Sequence, residues 1–199
     1  LFYLLGRHGR QLHAYANGLD RSPVSSACQE NAPKSIGNGL TFPRSLSGRE
    51  EICSGIAMLS DRVAVRLRRA GMKAAGVSLA IRDPDFRDIS RQRRLEPPTC
   101  LARELSQAAV SLAEGCWNMD SPVRALTVTA LYLISEDQAG VQLDLLGQAD
   151  APRRDRLERL DRTLDQIRAK YGRNAISPAS SAGVCQGGVQ EEDEEGATS

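Results

Sequence analysis

The side chains that could perform catalysis or bind a metal are few in this sequence and poorly grouped. Asp83, Asp85 and Asp88 lie close together, and clustered carboxylates are what two-metal chemistry on phosphoryl groups requires. They flank a DPDF segment between two predicted strands, however, and formation of a turn explains them better. His8 and His13 are five residues apart on a predicted helix without an acidic partner or a nucleophile. We therefore expect no catalytic residue and no metal site in this chain.

The cysteines and the apolar segments exclude several classes of protein. The cysteines are odd in number and include no C-x-x-C pair; they are Cys28, Cys53, Cys100, Cys116 and Cys185. This pattern argues against a zinc site or a disulfide framework and favours a reducing cytoplasm. No apolar run approaches the roughly 20 residues that a membrane span requires. The chain begins in mid-pattern at Leu1, without a signal-peptide layout, so we expect a fragment of a longer cytoplasmic protein.

The basic residues are distributed as in proteins that bind polyanions. The net charge of +1 hides a C-terminal tail with five acidic residues and no Lys or Arg, so the rest of the chain carries +6. Arg87, Arg91, Arg93 and Arg94 crowd one predicted strand, in which alternation places the first three on the face of Ile89. Because helices are expected to cover the opposite face of the sheet, we expect this arginine face to be open to a polyanion.

Residues 34–46, KSIGNGLTFPRSL, form a β-prone segment with an unusual beginning. Lys34 and Ser35 open it, and Gly37 and Gly39 follow before the segment becomes apolar. Glycine weakens a strand, so two of them suggest that a partner approaches the backbone closely. The alternative is a β-bulge in an ordinary edge strand.

The elements that would position these residues alternate along the chain. The hydrophobic pattern predicts a helix over residues 1–16 and a polar linker after it. It then predicts strands over 34–46, 73–83, 87–95 and 123–134, with a helix after the first strand and another after the third. This order, β-α-β-β-α-β, predicts an α+β fold in which two helices pack on one face of a four-stranded sheet.

The predicted helix ends rest on local signals. Ser47 and Glu50 have the spacing of a capping box at the start of the first sheet-covering helix, and Gly71 ends that helix. Its apolar face comprises Ile52, Ile56, Leu59, Val63 and Leu67. Pro97 and Pro98 are predicted to break the chain after the third strand, and Thr99 to cap the next helix.

The C-terminal region combines a charged helix with a polar tail. The helix is predicted from Pro152 to about Gly172, with a narrow apolar seam at a 3-4-3-4 spacing. The residues of this seam are Leu157, Leu160, Leu164, Ile167 and Tyr171. Residues 177–199 are small, polar and acidic, and we expect them to be disordered.

Five segments in order resemble the C-terminal part of Y-family DNA polymerases of the bacterial DNA polymerase IV type. They are GLDRSPV, KSIGNGLTF, RDISRQRRLEPPT, PVRALTVTALYLI and VQLDLL. The resemblance implies that residues 1–20 are the end of the thumb, 21–33 a linker and 34–135 the little-finger DNA-binding domain. It also implies that 136–176 hold a clamp-binding segment and a C-terminal helix, ahead of the tail.

The resemblance implies a role in translesion synthesis, a process of DNA repair and replication. The domain would hold primer–template duplex DNA by its backbone, as a monomer in the bacterial cytoplasm. The implied DNA-binding residues are Lys34, Ser35, Gly37, Gly39, Thr41, Arg91, Arg93, Arg94 and Arg124. Ala125 stands where some members carry a second basic residue. The nucleotidyltransferase reaction and its magnesium would belong to a palm domain outside this chain, so we expect the chain alone to bind no cofactor and to be inactive.

The segment Gln142–Leu146, QLDLL, resembles the motif by which bacterial proteins bind the sliding clamp. Gln142 would anchor it by hydrogen bonds, and Leu143, Leu145 and Leu146 would fill an apolar pocket. The alternative is that the leucines pack on the end of the sheet. Two other functions stay open at this point: a catalytically inactive Y-family adaptor, and a ferredoxin-like regulatory domain without a nucleic-acid role.

Overall fold

The computed structural model describes residues 2–19, 33–136, 151–172 and 175–176. The chain divides into two compact units, Leu1–Ala32 and Pro33–Ser199. In the first unit, helix α1 (Phe2–Ala16) is kinked at Gly6, which has a φ of 52°. Gly18 has a φ of 68° and follows the end of that helix, as predicted. Most of the predicted linker, the QLDLL segment and the acidic tail lie outside the described residues.

In its described residues, the second unit contains one four-stranded sheet and three helices. In chain order its elements are β1 (Ser35–Leu46), α2 (Arg49–Arg69), β2 (Met72–Arg82), β3 (Asp88–Thr99), α3 (Ala102–Cys116), β4 (Val123–Ser135) and α4 (Ala151–Tyr171). The strands are ordered β1-β4-β2-β3, and all neighbours are antiparallel. This confirms the predicted α+β fold and makes β1 and β3 the two edge strands.

The core lies between the sheet and helices α2 and α3. The predicted apolar face of α2 is fully buried: Ile52, Ile56, Leu59, Val63 and Leu67 are all 0 % exposed. It packs against alternate residues of the central strands, including Val77, Leu79, Leu126 and Val128. Burying a side chain of this size stabilises a fold by about 1.5–3 kcal/mol. The helices therefore cover one face of the sheet only.

The predicted capping box at the start of α2 is wrong. The N-cap is Gly48, with a φ of 85° and no side-chain cap, a conformation that suits glycine. Glu51, rather than Glu50, accepts a hydrogen bond from the amide of Ser47 at 3.0 Å and two from Arg44. The hydrogen bonds from Arg44 and then from Ser47 lower the pKa of Glu51 from 4.5 to about 2.

The chain does not break at Pro97 and Pro98, since both lie inside β3. An edge strand tolerates proline because one side of it needs no amide donors. Thr99 ends this strand instead of capping α3, whose N-cap is Leu101. The Thr99 hydroxyl accepts a hydrogen bond from the Leu101 amide at 3.0 Å. Asp161, from the distant helix α4, accepts one from the amide at the start of α3.

Helix α4 docks on the domain through charged residues. They recur every three or four positions on one side of the helix and are Arg154, Glu158, Asp161, Asp165 and Arg168. Their partners, taken along the helix, are Glu104, Lys73, Arg68 and Asp61. In the predicted apolar seam, by contrast, Leu160 and Tyr171 are 53 % and 67 % exposed. The other three seam residues, Leu157, Leu164 and Ile167, are half-buried beside the charged residues, so only part of the predicted seam lies on the docked side.

Candidate nucleic-acid interface

The face of the sheet that points away from α2 and α3 is lined mostly by small or polar residues, and we call it the open face. Directly paired residues share a face, and Gly37 and Gly39 pair with Thr129 and Thr127 of β4. These four residues therefore belong to the open face. Its residues are Ser35, Gly37, Gly39 and Thr41 of β1, Ala125, Thr127, Thr129 and Leu131 of β4, Gly76, Ser78, Ala80 and Arg82 of β2, and Asp88, Ser90, Gln92 and Arg94 of β3.

The two glycines of β1 make room for threonines of β4. A Cβ atom on Gly37 would lie 2.7 Å from Oγ1 of Thr129, and one on Gly39 would lie 2.5 Å from Oγ1 of Thr127. Both are closer than real Cβ contacts, so a larger residue needs the threonine to move. The alternative of a bulge at the glycines is wrong, since the register is regular there and shifts only between Thr41 and Leu46.

The outer edge of β1 presents backbone donors. Arg66 of α2 donates from Nη1 to the carbonyl oxygen of Gly37 at 2.6 Å, so this carbonyl points away from β4. The N–H and C=O groups of one strand residue point the same way, and they recur on every second residue. The amides of Gly37 and Gly39 therefore face the outer edge, where Lys34 and Ser35 are exposed. Backbone amides, Lys and Ser are typical donors to phosphate.

The arginines of β3, the other edge strand, lie on both faces of the sheet. Arg91 and Arg93 pair with Leu79 and Val77, whose side chains enter the core. The two arginines are therefore on the helix-covered side, and their predicted position on the open face is wrong. Arg93 reaches Oγ of Ser111 in α3 at 3.5 Å. The alternation within β3 is as predicted, and charged residues are exposed on either face of this edge strand.

Arg94 is the arginine of β3 that does lie on the open face. It pairs with Gly76 of β2 and is exposed. Together with exposed Arg91 and Arg93 it forms a basic ridge along the edge of the sheet. Arg87 precedes the strand, and its amide donates to Oδ1 of Asp83 at 2.8 Å.

Two of the three hairpin carboxylates make structural contacts, and only that of Asp83 is a turn hydrogen bond of the predicted kind. Asp83 accepts the turn hydrogen bond described above, and Asp88 pairs with Arg82 at 2.7 Å. Arg124 is half-buried and donates to the carbonyl oxygens of Phe42 and Pro43 at 2.7 and 3.0 Å. It holds β1 against β4 next to the register shift; a contact of Arg124 with DNA stays a prediction.

Tyr132 of β4 is a residue that the sequence pattern did not indicate. It has a φ of 53°, which is rare for a bulky side chain, and it is 50 % exposed. The Arg94 guanidinium lies over its ring, 5.3 Å from the centroid. No local sequence signal predicts a left-handed backbone conformation at this tyrosine, because the residues that contact its ring come from other strands.

Other kinds of site find little support in the described part of the chain. It contains no helix long and apolar enough to cross a membrane. It also contains no group of three or more His, Cys, Asp or Glu residues that could hold a metal ion. Burial raises the pKa of the thiols of Cys53, Cys100 and Cys116, which disfavours the nucleophilic thiolate.

Comparison with known proteins identifies the family. Residues 33–145 match the impB/mucB/samB family C-terminal domain. The chain is 37 % identical to the DNA polymerase IV of Acetivibrio thermocellus over 168 residues, 84 % of this chain and 41 % of that protein. It is 36 % identical to the DNA polymerase IV of Pelotomaculum thermopropionicum over 88 % of this chain and 42 % of the relative.

These matches cover most of this chain but a smaller part of the relatives. The DNA polymerase IV of Moorella thermoacetica is 36 % identical over 90 % of this chain and 44 % of its own length. The chain thus spans about two fifths of the length of the curated relatives it matches. It belongs to the impB/mucB/samB family, and its sheet domain is a Y-family little-finger region.

Proposed function

We propose that the little-finger domain holds the backbone of primer–template duplex DNA for a translesion polymerase. One observation carries this proposal: donors suited to phosphate occupy both edges of a sheet whose open face carries mostly small or polar side chains. The amides of Gly37 and Gly39 with Lys34 mark the β1 edge. The basic ridge of Arg91, Arg93 and Arg94 marks the β3 edge.

The width of the sheet suits duplex DNA. Four strands at about 4.8 Å spacing place the β1 and β3 edges roughly 14 Å apart. The major groove of B-DNA is about 12 Å wide, so the two edges can reach phosphates on opposite sides of one groove. The hydroxyl and glycine residues of the open face leave room for this approach. Contacts of this type fix the position of the DNA without reading its sequence.

The polymerase reaction would belong to another part of the full-length protein. Template-directed nucleotidyl transfer needs a carboxylate cluster that holds metal ions, and we place this cluster and its magnesium in a palm domain. The domain described here would keep the duplex aligned with that site. Whether the full-length protein polymerises DNA or acts as an adaptor depends on the palm carboxylates. Family membership weighs against the small-molecule regulatory alternative.

Recruitment of the bacterial sliding clamp is a second part of the proposal. The QLDLL segment, Gln142–Leu146, lies in the connection between Ser135 at the end of β4 and Ala151 at the start of α4. An ion pair between Arg162 of α4 and Glu136 ties that helix to the residue that follows β4. A short motif between two anchored elements suits capture by the pocket of a partner, with Gln142, Leu143, Leu145 and Leu146 as the anchors.

The DNA-binding proposal is tested by a fluorescence anisotropy titration of the 199-residue chain. The probes are a labelled primer–template duplex, a second duplex of unrelated sequence and a single strand. We expect the two duplexes to bind within about twofold of each other, in the micromolar range typical of non-specific binding, and binding to weaken as salt rises. The proposal fails if neither duplex binds at low salt, or if affinity does not depend on salt.

A further inference from the structure

Tyr132 interrupts the alternation of β4 at a position that faces DNA in the proposed function, on which this inference rests. Ala130 is buried and Leu133 packs against the core, although the two residues are three apart and a regular strand would place them on opposite faces. Tyr132, with its left-handed φ of 53°, lies between these two residues, and their partners in β2, Val77 and Ala74, are likewise both buried. Bulky residues adopt that conformation rarely, and such residues gather at functional sites.

The neighbours of Tyr132 show where its ring lies. A Cβ atom on Gly76 would be 2.7 Å from Cδ2 of the tyrosine, and Gly76 belongs to the open face. The ring therefore lies on the open face, across the backbone of Gly76. Half of Tyr132 is exposed, so the ring does not serve the core. What it contacts instead is Arg94.

Arg94 is the group that the ring holds. Its Cζ atom is 5.3 Å from the ring centroid, within the range of a cation–π interaction. The other arginine of the open face, Arg82, is neutralised by Asp88 at 2.7 Å. Among the residues that the structure describes, no carboxylate forms an ion pair with Arg94. The ring thus restrains a guanidinium whose charge is not compensated by a described acid.

We propose that Tyr132 is a positioning residue that orients Arg94 toward a backbone phosphate of bound DNA. A guanidinium can stack one planar face on an aromatic ring while the N–H groups at its rim donate to phosphate oxygens. A side chain that is restrained before binding loses less conformational freedom when it binds. The phenolic hydroxyl has no part in this role, so phenylalanine should replace tyrosine.

The test is a double-mutant cycle on the 199-residue chain, with duplex affinity measured at one fixed low salt concentration. Tyr132→Asn removes the ring but keeps a residue that tolerates the left-handed conformation. We expect it to weaken binding about two- to fivefold, the scale of an exposed cation–π contact. Tyr132→Phe should bind as wild type. In the Arg94→Gln background, Tyr132→Asn should have no further effect. Thermal unfolding of each variant identifies any loss of fold, and Tyr132→Phe supplies the rescue.

Two results would overturn the inference. If Arg94→Gln weakens binding but Tyr132→Asn does not, Arg94 acts without the ring. If Tyr132→Asn weakens binding equally with and without Arg94, the ring does not act through Arg94. In either case, the double variant Arg91→Gln, Arg93→Gln tests the function separately. If it binds duplex DNA more weakly than wild type, the proposed DNA-binding function stands. Absence of salt-dependent binding by the wild-type chain is the separate result that overturns the function itself.

Discussion

Nη1 of Arg66 lies 2.6 Å from the carbonyl oxygen of Gly37, so the C-terminal half of α2 holds the outer edge of β1. This hydrogen bond keeps the edge strand in place where its amides are proposed to meet phosphate. It also sets a cation of the helix beside that edge, which adds to the positive potential there. The edge of the sheet and the helix behind it therefore form one structural unit.

Replacing Arg66 tests this unit. We expect Arg66→Gln to lower the free energy of unfolding by about 1 kcal/mol, because the hydrogen bond that it removes involves a charged donor but is exposed. It should also weaken duplex binding. Arg69→Gln, at an exposed arginine of the same helix, is the matched control and should leave both quantities near wild type. Denaturant titration and anisotropy measure the two effects; equal decreases in both variants would mean that only net charge matters.

A substitution at Gly39 of β1 tests whether this glycine is needed to make room for Thr127 or for DNA. We expect Gly39→Ala to destabilise the domain by about 1–3 kcal/mol, the usual cost of an overpacked contact, because its Cβ would meet Oγ1 of Thr127. The double variant Gly39→Ala, Thr127→Ala should recover most of that stability. Its DNA affinity should recover as well, since the added methyl group points to Thr127 and the amide to the outer edge. Recovered stability without recovered affinity would show that DNA itself needs the glycine.

The docking of α4 gives a prediction about stability. Arg68 is 7 % exposed and pairs with Asp161 and Asp165 at 2.9 and 2.6 Å. Breaking a buried ion pair by removing one partner leaves an uncompensated charge, so Arg68→Gln should cost about 3 kcal/mol. Arg162→Gln breaks the exposed pair with Glu136 and should cost at most about 1 kcal/mol. Similar small effects in both variants, measured by denaturant unfolding, would show that α4 is not held by its charges.

Much of this fold could be predicted from the sequence because its signals are local. The apolar spacing of α2 and the alternation of the strands follow directly from helix and strand periods, and both are confirmed. The failures share a different cause. Ser47 carries a local capping signal, but the conformation of Gly48 decides where α2 begins. Alternation shows that Arg91 and Arg93 share a face, whereas only the pairing with β2 shows which face. The docking of α4 and the contact of Arg94 with Tyr132 depend on partners far apart in the chain.

The QLDLL segment is tested by a titration of purified bacterial β clamp. We expect the variant Gln142→Ala, Leu145→Ala to abolish measurable binding, since a few anchors dominate such interfaces. Leu146→Phe should strengthen binding by about 0.5–1.5 kcal/mol, because an aromatic ring buries more apolar area. Unfolding curves of the variants provide the control. If the double alanine variant binds as wild type, or loses its fold, the leucines are not clamp anchors.

The most direct test of the central claim is the salt dependence of duplex binding in two variants of equal charge. One replaces Arg91, Arg93 and Arg94 by Gln; the other replaces the exposed Arg153, Arg156 and Arg159 on the outside of α4 by Gln. Each phosphate that the protein neutralises adds about −0.9 to the slope of log K against log salt. We expect the slope of the β3 variant to be flatter by about 2–3, since up to three arginines no longer reach phosphate, and that of the α4 variant to stay near wild type. Equal slopes in the two variants, or an unchanged slope in the β3 variant, would contradict a phosphate contact at this edge of the sheet.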